Sequence, residues 1–210
     1  MAKAGIVYVG TADGLATYAD PGSTGRWRRV GHSLAGKAVG AIIAADQQTL
    51  MIATEDGQTL HSDDGGQTWA PATGADAENL KAFLDAPGPV IATAHGPAHW
   101  KRDHPPAPGT VTMALLAGKQ EVLLAAIAGG TALMRSEDGG ATWQQATVEG
   151  ELAGGVTTIV PASYHMDYAW AGTDQGQLLR SQDRGRSWHI VATEPAPIRS
   201  LAIVRIESAS

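Results

Sequence analysis

Cysteine is absent from the 210 residues, which excludes disulfides, thiolate metal sites and cysteine nucleophiles together. No stretch approaches the ~18 consecutive apolar residues of a membrane helix, so no membrane partner is expected. Basic residues are few: 15 Lys and Arg against 21 Asp and Glu leave a net charge of −6. A binder of phosphate backbones carries a basic stripe instead, so no nucleic-acid partner is expected either. The opening Met1 to Val9 enters a strand-like run without the basic-then-apolar layout of a secretory signal, which predicts a cytoplasmic protein. Phenylalanine occurs once, beside six tryptophans and 26 glycines. Many turns and a few singly placed indoles point to a repeated β architecture.

Internal similarity supports this. Ser62-Asp63-Asp64-Gly65-Gly66-Gln67-Thr68-Trp69 reads S-x-D-x-G-x-T-W. Ser136, Asp138, Gly140, Thr142 and Trp143 repeat it in full, and Ser181, Asp183, Gly185, Ser187 and Trp188 repeat it with Ser for Thr. A looser copy runs Asp20, Gly22, Thr24, Trp27. The motif resembles the Asp-box of BNR-repeat proteins, which include sialidases and photosystem assembly-factor propellers. A second element precedes each box, clearest in Thr11-Ala12-Asp13-Gly14, Thr54-Glu55-Asp56-Gly57 and Thr173-Asp174-Gln175-Gly176. Its turn glycines fall at 14, 57, 96, 130 and 176. Five units therefore fill the chain, each about the size of a four-stranded propeller blade.

The expected fold is an all-β, five-bladed β-propeller forming a single domain over 1–210. Its blades span 198–206 with 5–31, then 38–73, 79–109, 110–148 and 154–193, so strands from the two chain ends complete one blade. The first strands of the blades are expected at 39–44, 80–85, 111–117, 156–161 and 198–204. The third unit departs from the pattern, since His104-Pro105-Pro106-Ala107-Pro108 replaces a box and proline cannot donate to a ladder.

The boxes read as braces rather than chemistry. Asp64, Asp138 and Asp183 suit Asx-type acceptance of hairpin N–H groups. Gly66, Gly140 and Gly185 supply backbone freedom, while Trp69, Trp143 and Trp188 supply apolar plugs. In the families they resemble, the boxes lie away from the site. The sialidase catalytic set, with its three arginines and Arg-Ile-Pro signature, has no counterpart here, so no catalytic residue is assigned. Glycoside hydrolysis needs paired carboxylates, and only Asp85, with Asp46 at a strand end, lies near the expected axis. The His95, His99, Asp103, His104 run lies on a hairpin where His95 and His99 point apart. No metal or cofactor is expected.

Ligand sites are concave with convergent polar groups, which favours a propeller's central depression. Alignment of the first strands puts Gly40, Lys81, Thr112, Thr157 and Arg199 at one position. The turns around them carry Asp13, Asp56, His95 and Asp174. The axial set is thus Asp13, Asp56, Lys81, His95, Asp174 and Arg199. The expected function is a non-catalytic binding or scaffold module for a protein, peptide or small polar ligand. The alternative is a carbohydrate-directed protein, either lectin-like or a diverged glycosidase.

Overall fold

The structure, a computed structural model, describes residues 5–75, 77–78, 80, 90–94, 96–99, 109–127 and 132–206. Apart from helical residues around 75–80, these are strands, turns and loops. The chain divides into two compact units, Met1–Pro87 with Arg199–Ser210, and Gly88–Ile198.

The first unit holds two four-stranded sheets. One orders β19 (Ile198–Arg205), β1 (Gly5–Thr11), β2 (Gly14–Asp20) and β3 (Arg28–Ser33), so strands from both chain ends share it as expected. The other orders β4 (Val39–Ala44), β5 (Leu50–Thr54), β6 (Thr59–Ser62) and β7 (Ala70–Pro71). Tyr8, Leu15, Val39, Leu50, Ile52 and Val204 form one buried cluster of this unit, each large aliphatic contributing about 1.5–3 kcal/mol by burial. The first strands approach closely. Ser200 Oγ donates to the Val39 carbonyl at 2.9 Å, and a Cβ on Gly10 would sit 2.2 Å from Ser200 Oγ. Only glycine fits that crossing.

In the second unit, β10 (Thr110–Leu116), β11 (Val122–Ile127), β12 (Leu133–Ser136) and β13 (Gln144–Gln145) form successive antiparallel pairs. A second sheet orders β15 (Val156–Pro161), β16 (Ala169–Thr173), β17 (Gln177–Ser181) and β18 (Ser187–Thr193), with β14 (Thr147–Glu149) added in parallel to β18. The run after the second box therefore begins on one sheet and ends on the next. Each second strand is flanked by partners on both edges, and β16 is buried at every residue. Trp170 on β16 and Trp188 on β18 are both fully buried.

Five sheets were expected and four are found among the described residues. The difference lies in the third module. Residue 80 is helical rather than strand, and 81–85 lie outside the described residues. What remains, the hairpin β8 (Val90–Thr93) and β9 (Gly96–His99), pairs in parallel with β10 through Met113↔Ile91 and Leu115↔Thr93. Among the described residues the hairpin continues its neighbour as a six-stranded sheet. The sheets themselves are of the β-propeller kind, hairpin-linked meanders with a box between third and fourth strands.

Candidate functional site

The turns after the second strands gather charge at one end of the first unit. Gly14 holds φ +107°, and a Cβ there would lie 2.5 Å from the Ser33 carbonyl, so this turn requires glycine. Asp13 Oδ1 accepts the Gly36 N–H at 2.7 Å, tying the turn to the loop that enters β4. In the neighbouring turn the Thr54 hydroxyl donates to Asp56. That bond is the main reason the Asp56 carboxyl lies below the usual carboxylate range, with the Gln58 N–H and Lys37 adding to it. Lys37 Nζ donates to Gln58 Oε1 at 2.8 Å and stands 3.7 Å from Asp56. Arg199 Nε pairs with Glu55 at 3.4 Å. Of the expected set, Asp13, Asp56 and Arg199 thus lie on loops and a strand linked by these contacts. Lys37 and Glu55 join them, marked in the sequence only by charge beside a turn.

In the second unit Asp174 repeats the role of Asp13, accepting the Gly155 N–H at 3.0 Å from the loop entering β15. Lys81 and His95 lie outside the described residues, as do Asp85, Asp103 and His104. The first-strand alignment needs one correction. Register shifts fall between Val39 and Ala41, Thr110 and Thr112, and Val156 and Thr158. The equivalent extra residues are Gly40, Val111 and Thr157, so Val111 rather than Thr112 holds the position. A one-residue slip turns a side chain to the other face, and Val111 is accordingly exposed. A bulge has no signature in an apolar run, so the sequence did not mark it.

At the other end of the sheets the boxes follow one pattern. Asp64 accepts the Thr68 N–H at 2.9 Å, the Thr68 hydroxyl at 2.6 Å and the Ser62 hydroxyl at 2.8 Å. Asp138 does the same with Thr142 and Ser136, and Asp183 with Ser187 and Ser181. Each serine in turn accepts an N–H four residues on, from Gly66, Gly140 or Gly185. The looser copy keeps the i to i+4 relation, with Asp20 accepting from Thr24 and Gly25.

These bonds favour the charged carboxylates. The Thr68 hydroxyl, followed by its N–H and Ser62, brings Asp64 down to about 2. Asp138 is held lower still by its Thr142 hydroxyl and N–H. Burial pulls Asp183 upward, yet the combined donors of Ser187, Ser181 and Arg186 outweigh it and the net shift is downward. A general acid needs a pKa near the working pH, so these aspartates are poor proton donors. Among the described residues, no group of three or more His, Asp or Glu side chains is placed to hold a metal.

Box tryptophans differ in depth. Trp188 is fully buried, while Trp69 and Trp143 are half-buried against their clusters. Trp69 Nε1 reaches Ser33 Oγ and the Gly66 carbonyl, both at 3.1 Å. Trp188 Nε1 is buried without a hydrogen-bond partner among the described residues.

The third box also carries Arg184 where the first two have Gly65 and Gly139, all in the left-handed region at φ 63°, 74° and 75°. Such a non-glycine conformation persists where surroundings compensate it. The Arg184 guanidinium donates to the Gln120 carbonyl at 2.6 Å, to the carbonyls of Leu116, Ala117 and Met166, and to Asp167. Arg135 is buried and donates to the Arg184 carbonyl on the next sheet at 2.8 Å. Beside it a cavity of about 270 Å³ is lined by Gln120, Arg135, Glu137, Asp138 and Gln144 among others.

A family model described as BNR/Asp-box repeat matches residues 60–71, which contain the first box. No curated protein matches this chain in sequence. Among solved structures, the GH74 enzyme of Niastella koreensis is 15% identical with a TM-score of 0.35, covering 94% of this chain and 25% of its own. YCF48 from Cyanidioschyzon merolae is 14% identical with a TM-score of 0.34, covering 88% of this chain and 66% of its own. A chain of a nidogen/laminin complex is 9% identical with a TM-score of 0.35, over 93% of this chain and 64% of its own. This chain spans less than two thirds of each, and at these scores the likeness extends to neither substrate nor partner. What the residues and the family model together establish is a chain carrying the BNR/Asp-box repeat.

Proposed function

We propose that this chain is a non-catalytic binding or scaffold module whose turn end engages a protein, peptide or small polar ligand. The observation that carries the reading is the bracing of the turn-end charges. Asp13 and Asp174 are each fixed to a backbone N–H of an entering loop, and Asp56 to Thr54, Lys37 and Gln58. Groups already ordered lose little entropy on binding, so prearranged polar turns on each unit suit recognition. The reading includes a ring closed through the sheet that β19 shares with β1.

The test is affinity capture with the wild type beside an Asp56→Ala/Arg199→Ala variant, together with a glycan array and chromogenic glycosides. A stoichiometric protein or peptide partner lost by the variant is the expected result. Equal capture by both chains overturns the turn-end assignment. Turnover of a glycoside that the same variant abolishes turns the reading to a carbohydrate-directed enzyme.

A further inference from the structure

The outer strand of the first sheet is unusual for this chain. β3 ends the order β19-β1-β2-β3, and among the described residues no strand pairs with its outer edge. It runs Arg-Arg-Val-Gly-His-Ser, with Arg28, Arg29, Val30 and His32 exposed. Arg26 stands exposed just before it. Three cations within four residues contrast with a net charge of −6 for the whole chain. Among the described residues neither Arg26 nor Arg28 has an ion-pair partner. Val30 is 62% exposed and is the extra residue of a bulge, since Thr17 pairs with Gly31 and Tyr18 with Arg29.

An edge strand offers a row of unpaired N–H and C=O groups to any incoming strand. Two β3 edges would bring like guanidinium groups together across the new ladder, which is destabilising. The same charges attract an acidic strand, raising its encounter rate and fixing its register. We infer that β3 is a docking edge for an acidic peptide in extended conformation, which adds as a fifth strand with an apolar side chain against Val30. The bulge limits the added ladder to a few residues, so binding is weak and mainly electrostatic. The edge reaches the turn end at His32, whose Nε2 stands 2.9 Å from the Asp13 carbonyl, but the docking role rests on Arg26, Arg28 and Val30 and does not depend on that assignment.

The probe is a capped peptide of three Glu-Val repeats, titrated into the full chain while backbone amide resonances are followed. Shifts should concentrate on residues 28–33. Affinity should fall about tenfold in Arg26→Glu/Arg28→Glu, which removes two exposed charge pairs that together account for about that factor. It should fall likewise in the wild type when salt shortens the screening length to roughly 4 Å. The Asp56→Ala/Arg199→Ala variant should bind the peptide unchanged. Absence of shifts at 28–33, shifts elsewhere, or equal binding of a Lys-Val peptide overturns the inference. The salt and Lys-Val measurements decide it even if the charge-reversed chain folds poorly.

Discussion

Trp188 provides the sharpest test of how the boxes hold the sheets. Its indole is fully buried among Leu124, Ala126, Leu133, Val156, Ile159 and Leu179, which belong to both sheets of the second unit. Truncation to alanine removes the ring and leaves a cavity those side chains fill only in part, at a cost of roughly 3–5 kcal/mol. Phenylalanine should behave differently. It keeps most of the apolar contact and removes an indole N–H that is buried without a partner among the described residues, a group whose burial costs about 1–3 kcal/mol. The two effects nearly cancel, so Trp188→Phe should lie within about 1.5 kcal/mol of wild type. Urea unfolding followed by far-UV circular dichroism, with midpoints compared at equal m-values, measures both. A phenylalanine variant as unstable as the alanine one would show that the N–H is satisfied in solution. An alanine variant near wild type would refute the plug itself.

Further outcomes follow from the same contacts. The Asp64 carboxyl is held at about 2, below its ordinary 3.8, so its stabilisation is present above the ordinary value and is lost as pH falls from about 4 toward 2. Melting temperatures between pH 7 and pH 2 should show this step, and Asp64→Asn should diminish it. Arg184→Gly relaxes a left-handed residue yet removes a guanidinium bonded to several carbonyls; the net should be a loss of about 1–3 kcal/mol, with faster amide exchange around Gln120 and Asp167. Equal stability would mean the strain and the bonds balance. Half-buried Trp143 should cost less than Trp188 on truncation to alanine, roughly half as much, by the same unfolding assay. Deleting 197–210 removes β19 from beside β1 and should unfold the first unit or make the chain associate, which sedimentation resolves; a folded monomer would contradict the shared sheet.

The sequence by itself determined what is local. An aspartate and a hydroxyl four residues on find each other within one hairpin, and a glycine after Asp13 or Glu55-Asp56 turns the chain locally. The boxes, the turns at Gly14, Gly57 and Gly176 and most strand limits were therefore legible, whereas Gly96, expected at a turn, begins β9. The pairing of the chain ends was legible too, because a first strand at 198–204 had no successors and 5–31 had no first strand. Three things were decided only in three dimensions. The number of sheets among the described residues depended on a pairing between modules, since the hairpin of β8 and β9 found a partner in β10. The facing of the first strands depended on bulges that an apolar run does not encode. The turn-end charges were visible as residues, but their pairing of Lys37 with Asp56 and Arg199 with Glu55 joins segments distant in the chain. Such contacts follow from the packing of sheets, which no short stretch of sequence specifies.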